Sequence, residues 1–207
     1  MPINLRTWTP NPIVIPDAVP LVAAFLAAGA GGEYDLVPVE QDAALGILEV
    51  WAANWLAAGL QAAEAVALFQ PQTLAQINDA LAEIPNNLSL YENDPRLAEG
   101  APIWNALEEL FRPFLAVPNI GFARTTKILH KKRPRLIPPI DSRAMQNVYR
   151  EWMVPATPEN LKQAIIHVRN DIMENLDALH AIRAEIPGLD GITIVRIFDM
   201  IVWERFG

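Results

Sequence analysis

An all-α fold is the class this sequence predicts. Apolar residues recur at three- and four-residue spacing through several long stretches. Prolines and glycines punctuate the boundaries of those stretches. No run keeps the two-residue alternation of a half-buried strand; Val37–Val39 and Leu136–Ile140 come nearest, and both are short and proline-flanked.

Taken in order, residues 1–16 are proline-rich and read as an extended tail wrapping a neighbouring element. A first helix is expected from about Asp17, a capping residue, to Ala28, with Gly29, Gly31 and Gly32 ending it. A second is expected over about Val39 to Ala58, with Leu45, Leu48, Trp51, Ala52, Trp55 and Leu56 on a broad inner face. Gln61 to Phe69 reads as a short helix. Pro71 and Thr73 open another, with Leu74, Ile77, Leu81 and Ile84 turned inward and Pro85 as its stop. Residues 86–97 form a polar loop that tucks Leu88, Leu90 and Tyr91 inward. A helix over about Leu97 to Phe114 carries the stripe Trp104, Leu107, Leu110 and Phe111. Thr157-Pro158-Glu159 is a helix start: a cap, then proline at the first position, then an acid beside the positive end of the dipole. That helix runs towards Ile186 with a bend near 171–177, and the last helix spans Ile192 to Phe206.

The chain of 207 residues, 52% of them apolar, has enough hydrophobic side chains for a sizeable core and reads as a single compact helical domain over 1–207. Six Trp, seven Phe and three Tyr exclude disorder as the whole answer. The absence of cysteine excludes disulfides, thiolate nucleophiles and cysteine-ligated metals. His130, His167 and His180 are too few and too scattered to suggest a metal site, and no cofactor is expected. Residues 18–32 look briefly like a signal-peptide core, but what precedes them is proline-rich with Arg6 as its one cation. No stretch is long and apolar enough to span a bilayer, so a cytoplasmic protein with no membrane partner is expected.

Charge is unevenly spread. Residues 112–150 hold nine of the 16 basic residues and one acid, Asp141. That segment is formally +8 in a chain of −8, which leaves −16 on the remainder. A basic patch in an acidic body binds anions locally, whereas in the plain structural reading these cations solvate the surface and pair with acids from elsewhere. Within the segment, Val117-Pro118-Asn119-Ile120-Gly121 stops one helix and starts the next, and Asn and Gly both tolerate the left-handed backbone of a tight turn. The first N–H groups of the new helix are then unpaired donors at a positive dipole end, a site for phosphate or carboxylate. Arg124, Lys127 and Lys131 follow on one face, with Arg133 and Arg143 further on as additional anion contacts. Leu136 to Ile140 runs extended between prolines, and Asp141 opens the next helix, either as its cap or as a charged group facing a cleft. Arg196 and Asp199 lie in a helix that is otherwise Ile, Val, Phe, Met and Trp; buried charges there need partners, and the spacing suits a structural ion pair, or Arg196 reaches towards Asp141 across a cleft.

The hairpin and the Pro-Pro-Ile-Asp turn resemble the helix-hairpin-helix DNA glycosylase superfamily, whose hairpin reads hydrophobic-Pro-Gly-hydrophobic-Gly. Asn119 stands here for the first glycine. In that family a catalytic aspartate follows about twenty residues later, where this chain has Asp141. The resemblance implies two helical lobes with Asp141 in the groove between them. Bifunctional members carry a lysine two residues after the last hairpin glycine; that position is Ala123. Over most of its length, and above all in Lys127–Pro138 and Val195–Asp199, the chain also resembles a family of bacterial proteins of unknown function, a likeness that brings a fold and no activity.

Three functions follow as expectations. The first is a nucleic-acid-binding protein that uses Asn119, Gly121, Arg124, Lys127, Lys131, Arg133 and Arg143 on phosphates, without catalysis. The second is monofunctional base excision with Asp141 as the catalytic carboxylate and Tyr149 or Trp152 as stacking groups. The third is a helical protein-interaction or anion-binding protein.

Overall fold

The computed structural model describes residues 1–5, 13–29, 31–42, 44–141, 144, 148, 149 and 154–207. Among them the fold is all-α apart from one small hairpin. That hairpin corrects the reading of the N-terminus: β1 (Ile3–Leu5) and β2 (Ile13–Ile15) pair antiparallel, with Ile3 opposite Ile15. Ile3, Leu5 and Ile15 are buried. The outer edge of β1 is held by a side chain from far along the sequence. Asn175 accepts from the Asn4 N–H at 2.8 Å and donates to the Asn4 carbonyl at 2.7 Å, taking the place of a third strand.

The helices are α1 (Val19–Ala27), α2 (Gly32–Leu36), α3 (Ile47–Trp55), α4 (Ala62–Leu68), α5 (Pro71–Ala82), α6 (Pro102–Leu115), α7 (Phe122–Lys132), α8 (Pro158–Glu174), α9 (Leu176–Glu185) and α10 (Ile194–Phe206). Several starts follow from local chemistry. The Thr157 side chain accepts from the Asn160 N–H at 3.2 Å, with Pro158 in the first turn of α8. The Glu49 and Glu64 carboxylates reach back to the N–H groups of Gly46 and Gln61 at the starts of α3 and α4. The expected bend in the long C-terminal helix is a break at Asn175 between α8 and α9.

The second helix departs from expectation. It is shorter, the five-residue α2 precedes it, and its outward face is the aromatic one. Val50, Ala52 and Ala53 pack inward, while Ile47, Leu48, Trp51 and Trp55 face solvent. Small residues let α3 lie close against α7, and the larger rings are left outside.

α10 runs through the middle. Every residue from Ile194 to Val202 is buried, and α1, α8 and α9 pack around it. One hydrophobic cluster extends through the described residues, with Phe111, Phe114 and Phe198 among its largest members; Tyr34, Val37 and Ala52 form a small second one. Two separate lobes are not distinguished among these residues. No described helix is long and apolar enough to cross a membrane.

Candidate functional site

A short turn over residues 116–121 joins α6 to α7. The Val117 N–H bonds to the Phe114 carbonyl and the Ile120 N–H to that of Val117, both at 3.1 Å, closing the turn after α6. Asn119 takes the left-handed conformation at φ 67°, where an amide side chain is tolerated better than most. Gly121 is extended, and a methyl group built on it would meet open space. Val117, Ile120 and Phe122 are buried and anchor the turn. Gly121 has no side chain with which to cap α7, and Gly121, Phe122, Ala123 and Arg124 line the depression described below.

Most cations of the basic segment point into the protein. Arg124 donates to the carbonyls of Ala58, Gly59 and Asn119 at 2.8–2.9 Å and pairs with Glu64 at 3.1 Å. Lys127 donates to the Leu56 carbonyl at 2.6 Å, just past α3. Lys131 donates to the Tyr34 carbonyl in the last turn of α2, and its ammonium sits 4.8 Å from the centre of the Tyr34 ring. Burial pulls the pKa of Lys131 down. Lys132, fully buried, pairs with Glu49 at 2.7 Å and donates to the Glu40 carbonyl. Arg133 donates to the carbonyls of Leu81 and Ile84 at the end of α5, and to those of Gln41 and Lys132. The carbonyls of Tyr34, Leu56, Leu81 and Ile84 lie in the last turn of a helix or just past it, where the last acceptors are unpaired and carry partial negative charge. α7 and the residue after it thus clamp α2, α3 and α5, and the expected open basic strip is not what these side chains form. Arg143 lies outside the described residues, as do Arg150 and Trp152. Tyr149 is buried and bonded to Asp171.

The proline-bracketed segment folds back along α7 on two anchors that the sequence did not single out. Thr126 donates to the Phe122 carbonyl at 2.8 Å and accepts from the Ile140 N–H at 2.9 Å. His130 bonds through Nδ1 to the Ile137 carbonyl at 2.6 Å, and burial drives its pKa down to about 3. The ring is therefore neutral at pH 7 and its Nδ1–H is the donor. Together these bonds fix Asp141, which follows directly. One carboxylate oxygen of Asp141 accepts from the Ala144 N–H at 3.3 Å, and the other pairs with Lys127 at 3.2 Å. Asp141 thus accepts from a backbone N–H three residues on and lines a cavity.

Two depressions meet at that pair. The more open one, about 360 Å³, is lined by Asn119, the start of α7 from Gly121 to Arg124, Lys127, Asp141 and Ala156. The other, about 110 Å³, has Phe25, Trp55 and Trp203 among its walls, with Lys127, Asp141, Arg196 and Asp199 as its charged groups. Phe25 and Trp203 meet edge to face at 5.5 Å. Arg196 is buried; it pairs with Asp199 and holds both oxygens of Asp35 at 3.1–3.2 Å. Its guanidinium passes close under Gly31, whose φ of 78° and missing side chain leave it room. Burial raises the Asp199 pKa to about 6, against the opposite pull of Arg196 and Lys127. Asn119, Gly121, Arg124, Lys127 and Asp141 are thus gathered around one surface. Lys131 instead lines a separate depression of about 290 Å³ with Tyr34, Arg135 and Thr193, and Arg133 is interior. Among the described residues no group of three or more His, Asp or Glu is placed to hold a metal.

The fold and this surface define an all-α protein whose helical hairpin opens beside a charged, aromatic-walled pocket. A family of unknown function, DUF6308, matches residues 27–206, and the chain belongs to that family. No curated protein and no solved structure matches. Nothing in these matches links the chain to the helix-hairpin-helix glycosylases.

Proposed function

We propose that the protein binds nucleic acid, with a backbone phosphate at the start of α7 and an unpaired base directed to the Asp141 pocket. The observation that carries this reading is the start of an eleven-residue helix, with glycine at its N-cap, lining the same depression as Arg124, Lys127 and Asp141. Gly121 supports it, since the absence of a side chain there leaves a backbone free to approach. The glycosylase-like arrangement, with Asp141 in a groove between two helical lobes, belongs to this reading.

Gly121→Asp is the direct test. The backbone at Gly121 suits any residue, and aspartate is a favoured helix cap, so stability should hold or rise by a few tenths of a kcal/mol. The new carboxylate occupies and repels at the phosphate position. Affinity for a labelled oligonucleotide, read by anisotropy at low salt, should fall at least tenfold. Unchanged affinity would remove the hairpin from the interface.

A second reading, base excision, is favoured by one observation: the Asp141 carboxylate stands beside the Lys127 ammonium on a pocket wall. The carboxylate would stabilise positive charge developing on the sugar as the bond from C1′ to the base breaks, with water adding at C1′ and the base leaving with the bonding electrons and a proton. Asp141→Asn should then abolish release of deaminated, alkylated or oxidised bases with affinity near unchanged, because the charge it meets arises only in the transition state. Base release that survives the substitution would leave Asp141 a cap.

A further inference from the structure

We infer that Trp51 and Trp55 form a stacking platform for the bases of a single-stranded nucleic acid whose backbone is held at the start of α7. This deepens, and rests on, the nucleic-acid reading above by naming the form of the ligand. The two rings are 50% and 39% exposed on a helix whose small residues face inward. They stand one turn apart on one face, with ring centres 4.9 Å from each other and ring planes inclined at 61°, edge to face, so each indole offers a base its own face. The exposed face around them, Ile47, Leu48 and Asn54, carries no charge.

The platform is continuous with the site. Trp55 is also a wall of the pocket that holds Asp141, and Leu56 and Ala57, directly after it, line the same cavity. The ammonium that pairs with Asp141 is bonded to the Leu56 carbonyl. A strand with a phosphate at Gly121 and one base in the pocket therefore meets Trp55 and then Trp51 with its next bases.

The charge arrangement selects the single strand. Arg124, Lys127, Lys132 and Arg133 are bonded to the protein's own carbonyls and carboxylates. Among the described residues beside the hairpin, little cationic surface is left for the phosphates of a duplex, and a duplex hides its ring faces. Unpaired bases offer those faces, and indoles stack on them whatever the sequence.

The test uses the full chain with an oligo-dT strand about 12 nucleotides long, within the range of known single-strand sites. A duplex of the same length is titrated beside it. Tryptophan emission should be quenched by the single strand, which should bind at least about tenfold tighter than the duplex. Trp51→Ala is the decisive variant, because Trp51 stands clear of the pocket. It should weaken single-strand binding about five- to tenfold, with unchanged circular dichroism and unchanged duplex affinity, and Trp51→Phe should recover part of the loss. Equal affinity for both forms, untouched by Trp51→Ala, would overturn the platform and leave the hairpin reading standing. No binding of either form would overturn both. Concentration-dependent dimerisation that Trp51→Ala abolishes, without a single-strand preference, would assign this face to a second copy of the chain and overturn the inference.

Discussion

His130 and Asp199 are both buried within reach of the Arg196 charge, and burial acts on them in opposite directions. The His130 pKa is held at about 3, below the ordinary 6.5, so its contribution to stability is complete above pH 6.5 and is lost as pH falls from there towards 3. The Asp199 pKa is raised to about 6 from 3.8, so its contribution is complete below pH 3.8 and is lost as pH rises to 6. Between about pH 4 and 6 unfolding releases a proton from one site and takes one up at the other, and the two slopes cancel. Single substitutions should separate them. Asp199→Asn leaves the His130 slope, so its stability relative to the parent should fall as pH drops from 6 to 4. His130→Gln keeps a donor for the Ile137 carbonyl and leaves the Asp199 slope, so its relative stability should rise over the same interval. Each slope is on the order of 1 kcal/mol per pH unit. Urea midpoints at pH 4, 5 and 6 measure both, and parallel curves for all three proteins would refute the assignment.

At the scale of elements, the cations on and just after α7 close the C-termini of three helices, and this separates two neighbouring arginines. Arg133 is buried and makes four bonds to carbonyls; Arg135 is partly exposed and pairs with Glu92. Arg133→Ala should cost about 2–4 kcal/mol by leaving buried acceptors unpaired, while Arg135→Ala should cost less than about 1 kcal/mol. Arg133→Lys keeps the charge but not the fork and should fall between them. Comparable losses in urea melts would count against the clamp. What was legible in the sequence follows the same division. The hairpin turn, the Thr157 start and the break near 175 are set by residues adjacent in sequence, and each can be read from Asn119, Pro158 and the stretch around Asn175. The β hairpin depends on Asn175, about 170 residues away from its strand, and the clamps depend on carbonyls, which every residue carries and no letter marks. The face of α3 was misread because Trp and Leu outrank Ala as core residues, whereas the close approach of α7 requires the small side. Asp141 was legible as a position; its Lys127 partner and its Thr126 and His130 anchors were not.

Over the whole molecule the formal charge is −8, and among the described residues of the basic segment most cations are bonded within the protein. The sequence read as a strip making several phosphate contacts, which would give a steep salt dependence. The arrangement of the side chains leads to a shallow one. Among the described residues lining the hairpin depression, the charged donors are Arg124, already paired with Glu64, and Lys127, already paired with Asp141. These two cations would neutralise one or two phosphates on binding, with the helix amides supplying partial charge that releases few counterions. For a single strand the logarithmic slope is about −0.7 for each phosphate neutralised, so raising salt from about 50 to 200 mM should lower affinity only some three- to sevenfold. Anisotropy titrations across that range give the slope directly. A slope steeper than about −3 would require several unpaired cations in contact with phosphates, and the interface would then lie elsewhere on the molecule than at the hairpin and the Asp141 pocket.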